Sequence, residues 1–183
     1  MDRINVIGTS GSGKSTFARE LARTLKYPYI EMDQLYWKPH WTHPTDEEFF
    51  AKLSAAIAAP RWVLDGNYSR TQAIKWGAVD TVIWIDADFL TNLIQALRRA
   101  LVRAWTQEEI WPDTENRESF RMSFFSSESI VWYAIKTHAK MRKRYQALME
   151  NPEFKSIRFV RLRSRVEIRR FLSTAAVKNS SGH

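Results

Sequence analysis

Directly after the short apolar run Ile4-Asn5-Val6-Ile7 comes Gly8-Thr9-Ser10-Gly11-Ser12-Gly13-Lys14-Ser15-Thr16, which spells G-x-x-x-x-G-K-S. The chemistry open to such a stretch is phosphate binding. Its glycines let the backbone turn tightly enough for successive N–H groups to point into one concavity, a nest for an anion. Lys14 would bring a mobile positive charge to the β- and γ-phosphates, and the Ser15 hydroxyl would ligate Mg²⁺. Helix-compatible residues follow from Phe17 to Leu25, so the phosphates would also meet a helix N-terminus. Gly8, Ser10, Gly11, Ser12, Gly13, Lys14, Ser15 and Thr16 are therefore the candidate ligands of a nucleoside triphosphate. The bland alternative is a Gly/Ser-rich turn that binds nothing. A dinucleotide fingerprint fits less well, because Thr16 stands where its third glycine or alanine belongs.

Asp65 is the best second piece. It closes the apolar run Trp62-Val63-Leu64, and a carboxylate at the end of a buried strand is costly without a cation or donors nearby. Beside a phosphate loop that cation would be Mg²⁺, which makes Ser15 and Asp65 the candidate metal ligands. The competing role for Asp65 is a turn aspartate before Gly66. Asp33 sits at the end of another short apolar run, Tyr29 to Met32. Tyr36, Trp37 and Trp41 follow it and could stack a base or sugar ring, or simply pack in the core. His40, His43 and His138 have no spacing suited to a metal.

These residues need a scaffold. Short apolar runs at 4–7, 29–32, 61–65, 80–86 and 157–162 read as strands. Helical patterns lie between them, at 17–25, 45–57, about 88–103, about 127–150 and 165–172. The second begins at a capping box, with Thr45 reaching one way and Glu48 the other. In the helix from about Asp88, Leu90, Leu93, Ile94, Leu97 and Leu101 would form the buried stripe, with Gln95, Arg99 and Arg103 opposite. Strands alternating with helices imply an α/β fold with about five parallel strands covered on both faces. Ligands of such sheets bind at the carboxyl ends of the strands, where Gly8, Asp33, Asp65 and Asp86 all fall. One domain over 1–172 is expected, with a polar lid at about 104–126 and a flexible tail at 173–183.

The 183 residues are 44% hydrophobic and include eight tryptophans, enough for one sizeable core. Cysteine is absent, which excludes disulfides and thiol chemistry. No apolar run reaches the roughly 18 residues of a membrane span, and a signal peptide has no room before the first strand. A cytoplasmic protein without a membrane partner is the expectation. The formal charge of +8 suits a protein that handles small anionic ligands, with nucleic acid as the alternative partner.

The wider pattern resembles a known superfamily. Val63-Leu64-Asp65-Gly66-Asn67-Tyr68-Ser69-Arg70 is similar to the strand of adenylate kinases that ends in Asp-Gly-Phe-Pro-Arg. The helix carrying Arg99 resembles the one that enters their lid, and Met141-Arg142-Lys143-Arg144 the one that leaves it. Within that superfamily of P-loop kinases the chain most resembles the group called DNA topology modulation proteins. Asp33-Gln34-Leu35-Tyr36-Trp37, Asp65 to Arg70, and Arg161-Leu162-Arg163-Ser164 carry that likeness. The resemblance implies Mg-ATP as phosphoryl donor, bound by the loop, Lys14, Ser15 and Asp65. It implies catalytic lid arginines at Arg99 and Arg142, and Arg70 on the acceptor's anion. Asp33 is similarly placed to an aspartate of shikimate and gluconate kinases that takes a substrate hydroxyl, which makes it an acceptor-side candidate, and Trp37 of the aromatic segment is a second one through ring stacking. The chain departs from adenylate kinases between Ile30 and Pro44, so AMP is not implied as acceptor.

The expected activity is transfer of a phosphoryl group from ATP to a small hydroxylated or nucleotide-like acceptor, by a monomer or homodimer. The alternatives are an ATP-binding regulatory protein associated with DNA topology, or a slow NTPase without an acceptor. The DNA alternative would use the cations Lys136, Lys140, Arg142, Lys143 and Arg144.

Overall fold

The structure is a computed structural model, and it describes residues 1–106, 109–111, 114–116 and 130–180. Along β1 (Arg3–Gly8), Ile4 and Val6 enter one apolar cluster and Ile7 another, the two-residue period of a strand buried on both faces. β1 pairs in parallel with β3 (Trp62–Asp65) on one side and with β4 (Thr81–Ile85) on the other. β2 (Tyr29–Glu31) lies beyond β3 and β5 (Arg158–Leu162) beyond β4, giving the order β2-β3-β1-β4-β5. This is the parallel five-stranded α/β sheet expected from the alternation of elements.

The register aligns the chemistry. Asp65 lies opposite Val6 and Glu31, and Gly8 opposite Ile85, so Gly8, Glu31, Asp65 and Asp86 gather at one edge of the sheet. The crossovers change sense at β1, which leads to β2 on one side while β3 leads to β4 on the other, and this makes the edge the topological switch point.

One face of the sheet is covered by α1 (Lys14–Leu25) and α7 (Arg165–Ser180). Phe17, Leu21, Leu25, Leu172 and Ala175 meet Val6, Val63, Ile83 and Ile85 there. The other face takes α3 (Asp46–Ala56), α4 (Gln72–Ala78) and α6 (Ile130–Glu150) through Phe49, Leu53, Trp76 and Tyr145. A side chain such as Leu21 or Phe49, wholly withdrawn from water, contributes about 1.5–3 kcal/mol. α3 starts at the expected capping box: the Glu48 N–H donates to the Thr45 hydroxyl at 3.2 Å, and the Thr45 N–H to the Glu48 carboxylate at 3.3 Å. α2 (Met32–Tyr36) and α5 (Phe89–Thr106) complete the described strands and α-helices. Among the described residues no helix is long and apolar enough to cross a membrane.

Besides α4, which the sequence pattern did not show, the observed elements differ from it in three places. In α5 the buried stripe is Asn92, Ala96 and Ala100, whereas Leu90, Ile94 and Leu101 are exposed. The cause is the loop after β1: a Cβ on Gly11 would lie 2.3 Å from the Asn92 carbonyl oxygen and 3.2 Å from Ala96 Cβ, so only small residues allow this approach. α7 runs on from Leu172 to Ser180 because Ala175 is buried in the core, so most of the expected flexible tail is helix. Asp33 lies within the first turn of α2 rather than in a loop, since Met32 is wholly buried and carries the chain straight from β2 into that turn. Most of the expected lid at 104–126, with Arg117 and Arg121, and the expected start of α6 at Ser127 lie outside the described residues.

Candidate active site

The loop between β1 and α1 is a tight turn made possible by glycine. Gly11 and Gly13 have φ of 80° and 83°, in the left-handed region, and Gly13 is the N-cap of α1. Ser12 N–H donates to the Thr9 carbonyl at 3.1 Å. Ser12 Oγ is buried and finds no hydrogen-bond partner among the described residues. A buried hydroxyl without a partner, inside a glycine turn at a helix N-terminus, fits a cradle completed by anionic oxygens. Thr16 stands exposed on the first turn of α1.

Lys14 leaves the helix start and reaches across to β3. Its Nζ lies 2.7 Å from Asp65 Oδ1 and 3.4 Å from Ser15 Oγ. The Asp65 side chain is 1% exposed, so this contact compensates a charge that burial would otherwise make costly. Tyr29 Oη donates to the second carboxylate oxygen at 3.0 Å. Burial, then the charges of Asp65 and Glu31, push the Tyr29 phenol far above its usual range, so it remains a donor. A hydroxyl and a carboxylate flanking one ammonium are hard oxygen donors of the kind Mg²⁺ takes, and Ser15 and Asp65 fit that ion.

Several supports for the loop went unread in the sequence. Gly8 N–H donates to Asn67 Oδ1 at 3.1 Å, and Asn67 Nδ2 donates back to the Gly8 carbonyl. Asn5, in the middle of an apolar strand, donates to the carbonyls of Leu64 and Gly66 at 3.1 and 3.2 Å and accepts from Trp76 Nε1 at 3.1 Å. Its position was the available clue, because a buried polar side chain in an apolar run must have partners. Lys75, also buried, donates to the Gly66 carbonyl at 3.3 Å. Burial above all, then the charges of Arg144 and Lys14, push its ammonium down to about 7.

The polar side of α5 lines the loop from beyond. Asn92 Nδ2 donates to Thr9 Oγ1 at 2.7 Å and Arg99 to Ser10 Oγ at 3.0 Å. Arg99 is thus brought onto the loop. Arg142 is placed elsewhere, 3.3 Å from the buried carboxylate of Asp86, which Arg161 also holds while stacking on Trp84 at 4.4 Å.

On the other side of Asp65 lies Asp33. Its carboxylate accepts from the Tyr68 phenol at 2.7 Å, and burial followed by the Asp33 charge pushes that phenol far above its usual range. Tyr36 packs on Tyr68, Phe49 and His43, and the Arg70 guanidinium sits 4.9 Å over its ring. Arg70, expected on an acceptor anion, here pairs with Asp46 at 2.9 Å. Trp37 packs edge-on to Trp41 and stacks on Trp111, with centroids 6.3 Å apart. Trp111 in turn donates to Glu31 at 3.4 Å. Asn116, wholly buried, accepts from the Trp41 N–H at 2.7 Å and donates to the Lys38 carbonyl at 3.0 Å. The described part of the expected lid therefore rests on the aromatic segment. No local signal could have revealed this, because the partners are more than seventy residues apart.

The chain is similar to several known proteins. The family model for shikimate kinase matches residues 10–52, from within the loop through Asp33 into α3. A curated relative, the bifunctional pantoate ligase/cytidylate kinase of Gloeobacter violaceus, is 32% identical over 98 residues. That match takes in half of this chain and only 17% of the relative. Among solved structures, shikimate kinase from Acinetobacter baumannii in complex with shikimate superposes with a TM-score of 0.57 at 14% identity, covering 99% of this chain and 94% of that one. Shikimate kinase from Bacteroides thetaiotaomicron gives 0.52 at 11% identity, covering 98% of both chains. The fold is that of the P-loop kinases.

Proposed function

We propose that this chain is a Mg-ATP-dependent phosphotransferase acting on a small hydroxylated or nucleotide-like acceptor, and that it is akin to the DNA topology modulation proteins within the adenylate-kinase-like group. The observation that carries the reading is the meeting of Lys14, Ser15 and Asp65 beneath the glycine loop, with Asp33 in the first turn of α2 after the neighbouring strand. Where ATP is made and used, in the cytoplasm, a monomer or homodimer of this chain would work without a membrane.

In this reading the amides of Gly11, Gly13, Lys14 and Ser15 and the Lys14 ammonium hold the triphosphate, and Arg99, already on Ser10, neutralises charge as the γ-phosphoryl group moves. Ser15 and Asp65 would hold Mg²⁺, which supplies charge neutralisation of the phosphate oxygens. Lys14 exchanges its contact with Asp65 for the phosphates. The acceptor hydroxyl, oriented by Asp33, forms its bond to the γ-phosphorus as the bond to the β-phosphate oxygen breaks, and its proton passes to Asp33. Trp37 and its aromatic neighbours hold the acceptor and exclude water, which would otherwise take the phosphoryl group. Arg70 and Arg142 take part by leaving Asp46 and Asp86 when the ligands bind.

The regulatory alternative on DNA draws on the cations of α6, of which Arg142 pairs with Asp86 and Arg144 donates to Gln72 at 3.1 Å. The test is ATP turnover against a panel of sugars, polyols, hydroxy acids and nucleosides. Turnover rising sharply with one acceptor class is expected; slow hydrolysis indifferent to every acceptor would remove the reading.

A further inference from the structure

The turn after β3 carries a contact that neither strand pairing nor phosphate chemistry requires. Backbone pairing of β3 with β1 ends at Asp65 opposite Val6, followed by one bond from the Gly66 N–H to the Val6 carbonyl at 3.3 Å. Gly8, where the chain leaves the sheet to form the loop, has no strand residue beside it on that side. Asn67 takes the place of one. Its side-chain amide offers an acceptor to the Gly8 N–H at 3.1 Å and a donor to the Gly8 carbonyl, the paired pattern by which a neighbouring strand grips a peptide. The ladder is prolonged by a side chain to the point where the loop begins.

Asn67 is itself held firmly. The carbonyl of the preceding Gly66 accepts from Asn5 at 3.2 Å and Lys75 at 3.3 Å, and Asn5 is fixed by Trp76. Gly8 has little room to settle otherwise, since a Cβ there would lie 2.6 Å from Ser12 Oγ and 2.9 Å from the Ile85 carbonyl. Through Asn67 the angle at which the loop departs is tied to the same turn that carries Asp65.

We propose that Asn67 is a positioning residue for phosphate binding, its amide setting the loop entrance at Gly8 in register with Asp65. This rests on reading the loop as the ATP site. Asn67 touches no reacting atom in this scheme; it acts by preorganising the amides that do.

Two variants of the full chain test it. Asn67→Ala removes both bonds. Asn67→Asp keeps the shape and the acceptor for Gly8 N–H but turns an oxygen toward the Gly8 carbonyl. Affinity for a fluorescent ATP analogue and a fluorescent ADP analogue with Mg²⁺, the melting temperature, and amide hydrogen exchange of the ligand-free protein are the readouts. Both variants are expected to bind the analogues about ten-fold or more weakly. Exchange should quicken at Gly8 to Ser15 while Leu64 and Ile83 keep their protection. Should Asn67→Ala fail to fold, the isosteric Asn67→Asp gives the answer. Unchanged affinity and loop exchange in Asn67→Asp overturn the inference alone. So does a uniform loss of protection across the sheet, which would make Asn67 merely structural. A wild-type chain that binds neither analogue overturns the ATP reading and the inference with it.

Discussion

The proposed nucleotide side and the proposed acceptor side of the site are made of different materials. The nucleotide side is largely backbone: the turn at Gly11 and Gly13, the helix N-terminus behind it, and one ammonium on one carboxylate. The acceptor side is almost wholly side chains, with Asp33 on Tyr68, Tyr36 among aromatic rings, and Trp37 stacked on Trp111. Phosphate is the same in every nucleotide, so fixed amides suffice for it. An acceptor must be distinguished from its neighbours, which takes varied side chains from separate parts of the chain.

That contrast predicts where damage will fall. The largest loss is expected from Lys14→Ala. Transfer should drop by about two to three orders of magnitude. The ligand-free protein should lose about 3 kcal/mol in denaturant unfolding, because Asp65 then stays buried without its cation. Adding Asp65→Asn should recover stability but not activity; recovery of both would separate Lys14 from the phosphates.

Asp33→Asn comes next. Turnover should fall about a hundred-fold with nucleotide affinity intact. Equal loss of both would move Asp33 from the acceptor side into the fold or the metal site.

Asn116→Ala and Trp111→Phe probe the seat of the aromatic segment. Each should raise KM for the acceptor, Asn116→Ala by about ten-fold through the loss of two buried hydrogen bonds, and leave KM for ATP unchanged. A matching rise in KM for ATP would mean that the two sides are not separable.

The smallest effect concerns the joint between the sides, at the Gly66 carbonyl. Lys75 titrates at about 7 in the folded chain and at its ordinary 10.5 when unfolded. Between those values the unfolded state holds the extra proton, so stability rises with pH, by about 1 kcal/mol from pH 7 to pH 8. Above pH 10 the raised phenols of Tyr29 and Tyr68 act in the opposite direction. Lys75→Met should flatten the rise between pH 7 and 10 in unfolding curves; an unchanged slope would mean that the ammonium is charged where it lies.

How far the sequence could be read followed the range of the interactions. The cap at Thr45 and Glu48 and the Asp65 strand end were plain, being set within a few residues. The orientation of α5 was not. Its leucines have helical spacing and by themselves predict the inward face, but the close approach of Gly11 demands Ala96 and Asn92 there. Helical period says which residues share a face and nothing about which face meets a glycine loop. Asn5 was a missed clue of another kind, a polar residue amid apolar ones whose partners Leu64, Gly66 and Trp76 only the packed sheet reveals.

By itself the sequence determined the phosphate loop and the succession of strands and helices, because both arise from neighbours along the chain. Only the tertiary structure decided that Asn67 grips Gly8 across 59 residues, that Tyr68 meets Asp33 across 35, and that Asn116 seats Trp41 across 75. Such pairs leave no periodic trace in the chain. They follow from sheet order and register, which depend on the burial of every strand and helix at once.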